Sequence, residues 1–384
     1  MVDLAIIGSG VMGTFHALHA ALKGKTVIVF EKDLMPMEAS VRNFGQVVPS
    51  GFPPGRWHHY GRYSTKLYKE IQDKFDIGIR SNGSVYIAST TSELLLLEEL
   101  HSRFLEVNYD SELLSKNEVL KRWPNLNQEY VVGGLFFSQE VSSESRKMIH
   151  QLHAFMKQNL KVEFRCMTPV IAIEDQSDFV EIVYNSTQKL SALKAIVCNG
   201  RDFKMLYPEI FNTSDIEVVK LSMMATKPLP SVHLPGNILT GLTIRRYESF
   251  KELPSFSALD PNEINQKAIE NGIHILFKQR VDGSIVIGDS HHYADINNAD
   301  SLGFDVDLSV NDIILEEAKK IIQLPSWDIA TTWNGFYAQM KGKGDLFEHQ
   351  PSKNVYIATA IGGKGMTASA GYAMENINLM FAEN

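Results

Sequence analysis

Leu4-Ala5-Ile6-Ile7-Gly8-Ser9-Gly10-Val11-Met12-Gly13 opens the chain, and Thr26-Val27-Ile28-Val29-Phe30-Glu31 follows shortly after. Leu4–Ile7 is wholly apolar, which suits a strand buried on both faces of a parallel sheet. Val11–Lys23 has helical spacing, with Phe15, Leu18 and Leu22 on one side, and Gly24 ends it. The second run is β-branched and stops at an acid. Residues 4–31 therefore spell one strand–helix–strand unit. Gly8-x-Gly10-x-x-Gly13 stands at its turn from strand to helix, the context that a dinucleotide fingerprint requires. Gly8 permits the tight turn, Gly10 lets the backbone approach a pyrophosphate, and Gly13 lets helix and strand pack closely. The helix N-terminus, with Val11 and Met12 in its first turn, offers free N–H groups and a positive dipole end to phosphates. Glu31, followed by Lys32, can accept from ribose hydroxyls, and an acid there disfavours the 2′-phosphate of NADP. A glycine turn without nucleotide is the weaker reading, because glycines, strand, helix and acid all agree.

A plain NAD domain continues into another strand–helix unit. This chain instead enters a small polar loop, Ala39-Ser40-Val41-Arg42-Asn43-Phe44-Gly45-Gln46. Far downstream, Val355–Thr359 reads as a late buried strand. It leads into Ile361-Gly362-Gly363-Lys364-Gly365-Met366-Thr367 and then a helix over Ser369–Phe381. A second helix N-terminus there could face the electronegative edge of a flavin. These features favour FAD over NAD.

The opening GSGVMG, Glu31-Lys32, the ASVRNFG loop, Ala195–Gly200 and the terminal IGGKGMT loop resemble FAD-dependent oxidoreductases of the D-amino-acid oxidase, glycine oxidase and sarcosine oxidase superfamily. The resemblance covers the whole chain. Within it, ASVRNFG, Leu242–Tyr247 and Gly283–His292 are most similar to a bacterial subgroup proposed to act in aminophosphonate breakdown. The resemblance implies FAD in an extended form, with Gly8, Gly10, Gly13 and Glu31 on the ADP half. Ser40, Arg42, Asn43, Gly45 and Gln46 would follow the pyrophosphate and flavin ring, and Val170 would lie near the adenine. Asn199 and Gly200 would close the loop after their strand. Asn334 and Gly335 would lie near the flavin, and Gly362 to Thr367 would line its pyrimidine edge. Sarcosine oxidases tether flavin through a cysteine in the C-terminal third. Here no cysteine follows Cys198, so FAD is expected to be non-covalent. Those enzymes also carry a lysine that helps the oxygen reaction, on a strand matched here by Ser284–Gly288. That place falls on Val286, which leaves the oxygen step absent or served by another cation, Lys364.

The resemblance and the elements together imply an α/β chain. A Rossmann-like FAD-binding domain (1–75 with 135–215 and 328–384) is interleaved with a smaller α+β substrate domain on a mostly antiparallel sheet (76–134 with 216–327). With 384 residues, 44% hydrophobic and 21% charged, the composition is that of an ordinary globular protein. The net charge of −8 argues against general nucleic-acid binding. Two cysteines make no disulfide framework, no secretory signal or spanning helix is read, and a cytoplasmic location is the expectation.

Substrate candidates are less sharply marked. Ile238–Ile244 reads as a strand, so Arg245 and Arg246 should face opposite sides. One could clamp a carboxylate or phosphonate beside Tyr247, and Arg246 is the preferred one; two surface arginines are the competing reading. His291 follows a strand, and Tyr337 lies in Asn334–Tyr337, which reads as a packed aromatic turn in the absence of the resemblance. Lys278 and Arg280 read as flanking a turn at Asp282-Gly283. His58-His59 lack a third metal ligand at useful spacing. Ser142 or Ser143 reads as the N-cap of Ser143–Gln158, and Asn311 as that of Asp312–Leu324.

The implied reaction is oxidation of a small amine bearing an anionic group, an aminoalkylphosphonate or amino acid, to an imine that water hydrolyses. Lys364 would stabilise charge on the reduced cofactor, with oxygen or an electron carrier as acceptor. Two alternatives stand beside it: a flavin dehydrogenase of hydroxy acids or glycerol phosphate, and a non-enzymatic FAD-binding assembly protein.

Overall fold

A computed structural model describes residues 1–342 and 344–382; Lys343, Glu383 and Asn384, the last two at the end of the expected FAD-binding segment, lie outside the described residues. The opening apolar run forms the strand Val2–Ile7. It pairs in parallel with Val27–Phe30 on one side and Gln188–Val197 on the other. Glu163–Arg165 and Val355–Thr359 extend this parallel core, and Val170–Asp175 and Val180–Tyr184 add an antiparallel edge. Leu4, Ala5 and Ile6 are buried because both faces are covered. Helices Val11–Leu22, Arg56–Gln72 and Gly365–Met380 pack on one face through Phe15, Leu18, Tyr68 and Tyr372. Ala5, Ile7 and Ile28 pack on the other against Phe203, Phe211 and Ile216.

The second sheet has nine strands. Its longest pairing joins Ile216–Thr226 to Ile329–Met340, with Val219 opposite Tyr337 and Leu221 opposite Gly335. Every pairing in it is antiparallel except Asn237–Leu239 beside Ser84–Ala88. Strands Gly133–Phe137 and Ile329–Met340 belong to this sheet, although residues from 135 and from 328 onward were expected with the FAD-binding domain. Asn334–Tyr337 is thus the interior of a long strand, not a turn. A three-stranded ribbon of Gln46–Val47, Val141–Ser143 and Ile79–Arg80 adjoins the polar loop.

Three local expectations are corrected. Ile238–Ile244 is not one strand: Asn237–Leu239 pairs, and then Thr240 turns the chain into a short helix, Gly241–Ile244. The Thr240 hydroxyl donates to the Ile275 carbonyl at 2.8 Å, which anchors the turn to the neighbouring strand. Ser142 and Ser143 are spent in a strand, so helix Ser145–Asn159 starts later without a side-chain cap. Helix Leu308–Ile321 is capped by Asp307, whose carboxylate accepts from the Ser309 and Val310 N–H groups, and not by Asn311. No helix among the described residues is long and apolar enough to cross a membrane.

Candidate cofactor and substrate site

The glycine turn is built as its residues dictate. Gly8 has φ +101°, and a Cβ there would meet the Cys198 carbonyl oxygen at 2.3 Å. A Cβ on Gly13 would lie 1.9 Å from the Gly8 oxygen, so helix and strand could not close. Ser9 donates from its N–H and its hydroxyl to Glu31 Oε2, at 3.1 and 2.8 Å. Glu31 thereby braces the turn while lining the cavity beside it. The Val11 N–H donates to Ser40 Oγ at 2.9 Å, which ties the polar loop to the helix N-terminus.

A cavity of about 590 Å³ starts at this turn. Gly8, Gly10, Val11, Met12, Glu31, Lys32, Ser40, Arg42, Asn43, Gly45, Gln46, Val170, Asn199 and Gly200 line it. So do Gly335, Tyr337 and Gly362 to Thr367. Gly13 supports the turn from behind. Asn334 is turned away: its amide donates to the Phe304 and Asp305 carbonyls. Asn43 holds the loop, accepting from the Gly45 N–H at 2.8 Å. Both side-chain polar atoms of Gln46, and Oδ1 of Asn199, are buried without a hydrogen-bond partner among the described residues. Such orphaned groups, bare glycines and a helix N-terminus in one cavity fit a polar, phosphate-bearing cofactor. At the far end, Lys364 precedes helix Gly365–Met380. Its Nζ lies 3.6 Å from Glu248 Oε1 and 5.5 Å from the centre of the Trp57 ring.

Sequence reasoning missed Lys278. It lies on Leu276–Gln279, directly across from Val286. Lys278 is buried, and its Nζ donates to the Ser143 carbonyl at 2.6 Å. That nitrogen sits 2.5 Å from where a Gly45 side chain would begin, beneath the loop that lines the cavity. Burial pulls the amine down to about 7. The signal in the sequence was a lone lysine ending the apolar run Ile275–Phe277.

Another part of the same cavity gathers Arg246, Tyr247, Tyr337, His274, Asp289, His291 and Tyr293. The helix at Gly241–Ile244 separates the two arginines. Arg245 is consumed by ion pairs, with Nε 2.7 Å from Glu93 Oε1 and Nη2 2.5 Å from Glu263. Arg246 donates to the Tyr293 hydroxyl at 2.8 Å and has no carboxylate within ion-pair distance among the described residues. The Gly51 backbone packs against the Tyr247 ring. Burial holds the Tyr337 phenol well above its usual range and pushes His291 down to about 3, so His291 is neutral. His58 packs against the rings of Phe104 and Tyr109.

Known proteins share this fold. An opine oxidase subunit from Rhizobium meliloti is 24% identical over 348 residues, covering 87% of this chain and 81% of that one. The glycine oxidase structure from Geobacillus kaustophilus superposes with a TM-score of 0.77 at 16% identity, covering 100% and 95% of the two chains. The FAD-bound L-α-glycerophosphate oxidase structure from Mycoplasma pneumoniae gives 0.78 at 17% identity, covering 100% and 95%. The match of the DAO model, described as FAD dependent oxidoreductase, runs from residue 3 to 377 and takes in the glycine turn, both sheets and the Gly362–Thr367 loop alike, so the chain belongs to that family of FAD-dependent enzymes.

Proposed function

We propose that the enzyme oxidises a small amine that carries an anionic group, an amino acid or an aminoalkylphosphonate, with molecular oxygen as electron acceptor. The observation that carries this reading is Arg246. It is a half-buried guanidinium at the cavity wall with no carboxylate within ion-pair distance among the described residues, while its neighbour Arg245 has two. A small polar molecule offers few apolar atoms, so affinity rests on charge-assisted hydrogen bonds, and Arg246 supplies a fork for an oxyanion. Tyr247 and Tyr337 flank that fork and keep their protons, giving hydroxyl donors and an apolar wall. FAD, when bound, supplies the two-electron acceptor that takes hydrogen from the carbon next to nitrogen. The residues around it bind, orient and exclude water. Lys364 and the start of helix Gly365–Met380 bring positive charge to one end of the cofactor cavity. Lys278 brings a second positive charge under Gly45, where it would lower the cost of placing negative charge on oxygen. We further propose that the first sheet, with its loops, holds the cofactor and the nine-stranded sheet holds the substrate.

The test is a panel of amino acids, aminoalkylphosphonates, hydroxy acids and glycerol phosphate, offered to the aerobic holoenzyme with hydrogen peroxide as readout. Peroxide from anionic amines alone supports the proposal. Peroxide from hydroxy acids or glycerol phosphate instead refutes the amine assignment. An amine that reduces the cofactor without making peroxide refutes the oxygen assignment.

A further inference from the structure

Asp289 and His274 stand side by side where two strands meet. The Asp289 N–H donates to the His274 carbonyl at 2.7 Å, and the His274 N–H returns to the Asp289 carbonyl at 3.0 Å. This pairing holds both side chains at the cavity wall next to Arg246. His274 Nε2 lies 2.6 Å from Asp289 Oδ1, and His291 Nδ1 lies 3.8 Å away. Neither approach has hydrogen-bond geometry, so Oδ1 is a buried carboxylate oxygen with no donor among the described residues. Asp289 is 7% exposed. An unmatched charge at such a site is costly unless a ligand supplies the missing donor.

We propose that Asp289, held beside His274, receives the ammonium group of the substrate as its counter-ion. The enzyme then captures its amine in the protonated form that prevails in solution. No covalent bond forms or breaks in this step. The proposal rests on the amine reading above and names its substrate class more narrowly, as a dipolar molecule whose anion meets Arg246 and whose ammonium meets Asp289.

The charged and titratable groups facing Asp289 are His274, His291, Arg246, Tyr247, Tyr293 and Tyr337. Burial pushes the Asp289 carboxyl up. His274 and Arg246 outweigh that push, so it stays ionised. His274, Asp289 and His291 could in principle hold a metal, since their ligand atoms lie within 4.8 Å of one another. Arg246 argues against it, because the guanidinium bears on both Asp289 and His291 and would repel a bare dication. His291 Nδ1 is already directed at the Gly272 carbonyl, 3.1 Å away. A dipolar substrate neutralises Arg246 with its own anion and leaves its ammonium for Asp289.

The experiment measures holoenzyme binding of 2-aminoisobutyrate, whose amine-bearing carbon has no hydrogen to lose, from the perturbed flavin spectrum between pH 7 and 10. Anaerobic flavin reduction by an oxidisable amine is followed alongside. Expected for the natural protein is a Kd nearly independent of pH. In Asp289→Asn only the free base binds, so Kd falls tenfold per pH unit as pH rises. For an ammonium with a pKa near 10.4, binding two units below that value weakens about a hundredfold. His274→Gln should reproduce the slope, which keeps the test usable where Asp289→Asn fails to fold. Arg246→Met should weaken binding but leave it flat with pH. A tenfold slope already present in the natural protein and unaltered by either variant overturns the proposal. So does stoichiometric Zn²⁺ binding that Asp289→Asn abolishes and that activity requires. Failure of every amine to reduce the flavin, with reduction by a hydroxy acid, defeats the underlying amine reading instead.

Discussion

Replacing Arg246 by methionine keeps most of the apolar stem and removes the fork that faces the cavity. The guanidinium has one side-chain partner, the Tyr293 hydroxyl at 2.8 Å, and so retains donors for a substrate oxyanion. Charge-assisted hydrogen bonds contribute roughly 1.5–3 kcal/mol each. At about 1.4 kcal/mol per decade, losing one or two lowers kcat/KM by roughly ten- to a hundredfold or more. Arg245→Met should do something different. It strips Glu93, whose side chain is 2% exposed, of its 2.7 Å partner. Breaking a buried pair this way costs about 3–5 kcal/mol of stability. The assay is anaerobic flavin reduction by an amine with and without its acidic group, run beside thermal denaturation. Arg246→Met should lose discrimination between the two amines at nearly unchanged Tm. Arg245→Met should lose Tm and keep discrimination. Intact discrimination in Arg246→Met refutes the anchor, and its loss in Arg245→Met at unchanged Tm would move the anchor to that residue.

Gly10→Val should fold but purify depleted in FAD, because a Cβ there already reaches 3.0 Å from Ser40 Oγ beside the phosphate-facing turn; full FAD content in the folded variant contradicts the motif assignment. Acid precipitation of the natural protein should leave its FAD in the supernatant, and flavin retained in the pellet would point to a tether. Lys278→Met should slow reoxidation by oxygen about a hundredfold while sparing anaerobic reduction, since about 2.7 kcal/mol of charge stabilisation corresponds to that factor. Burial brings Lys278 to about 7, so the oxygen rate should decline as pH rises through its titration, and that limb should vanish in the variant; equal slowing of both half-reactions speaks against the role. Glu140 is buried and accepts from the Ser50 N–H and the Tyr109 hydroxyl, and burial raises its carboxyl from 4.5 to about 7. The protonated form is therefore the one the fold favours. Its stability contribution is full below pH 4.5 and is lost as pH rises through about 7, on the order of 3 kcal/mol. Glu140→Gln should flatten that decline in Tm, and an unchanged pH dependence would contradict it.

The strand–turn–helix of residues 2–30 was legible because every signal there is local. The glycines, the apolar run and the acid all act within one unit. The strand before the arginine pair was read too long because Leu239, Leu242 and Ile244 continue its apolar character, and what stops it is a long-range bond from Thr240 to the Ile275 carbonyl. Only the resulting helix shows that Arg245 turns to Glu93 while Arg246 turns to the cavity. Lys278 was passed over because with Arg280 it reads as flanking the turn at Asp282-Gly283, whereas the polar loop at Gly45 closes over its amine. That Lys278 stands across from Val286 is a matter of strand pairing, which no local pattern reveals. Asp289 and His274 are distant in sequence and become neighbours only through sheet register.

The most direct measurement of the central claim is an anaerobic titration of the purified holoenzyme, following loss of visible flavin absorbance on addition of amines and hydroxy acids in turn. The account predicts bleaching by amines that bear a carboxylate or phosphonate, little by the same amines without the acidic group, and none by hydroxy acids. Bleaching by hydroxy acids or glycerol phosphate with no response to any amine would contradict it.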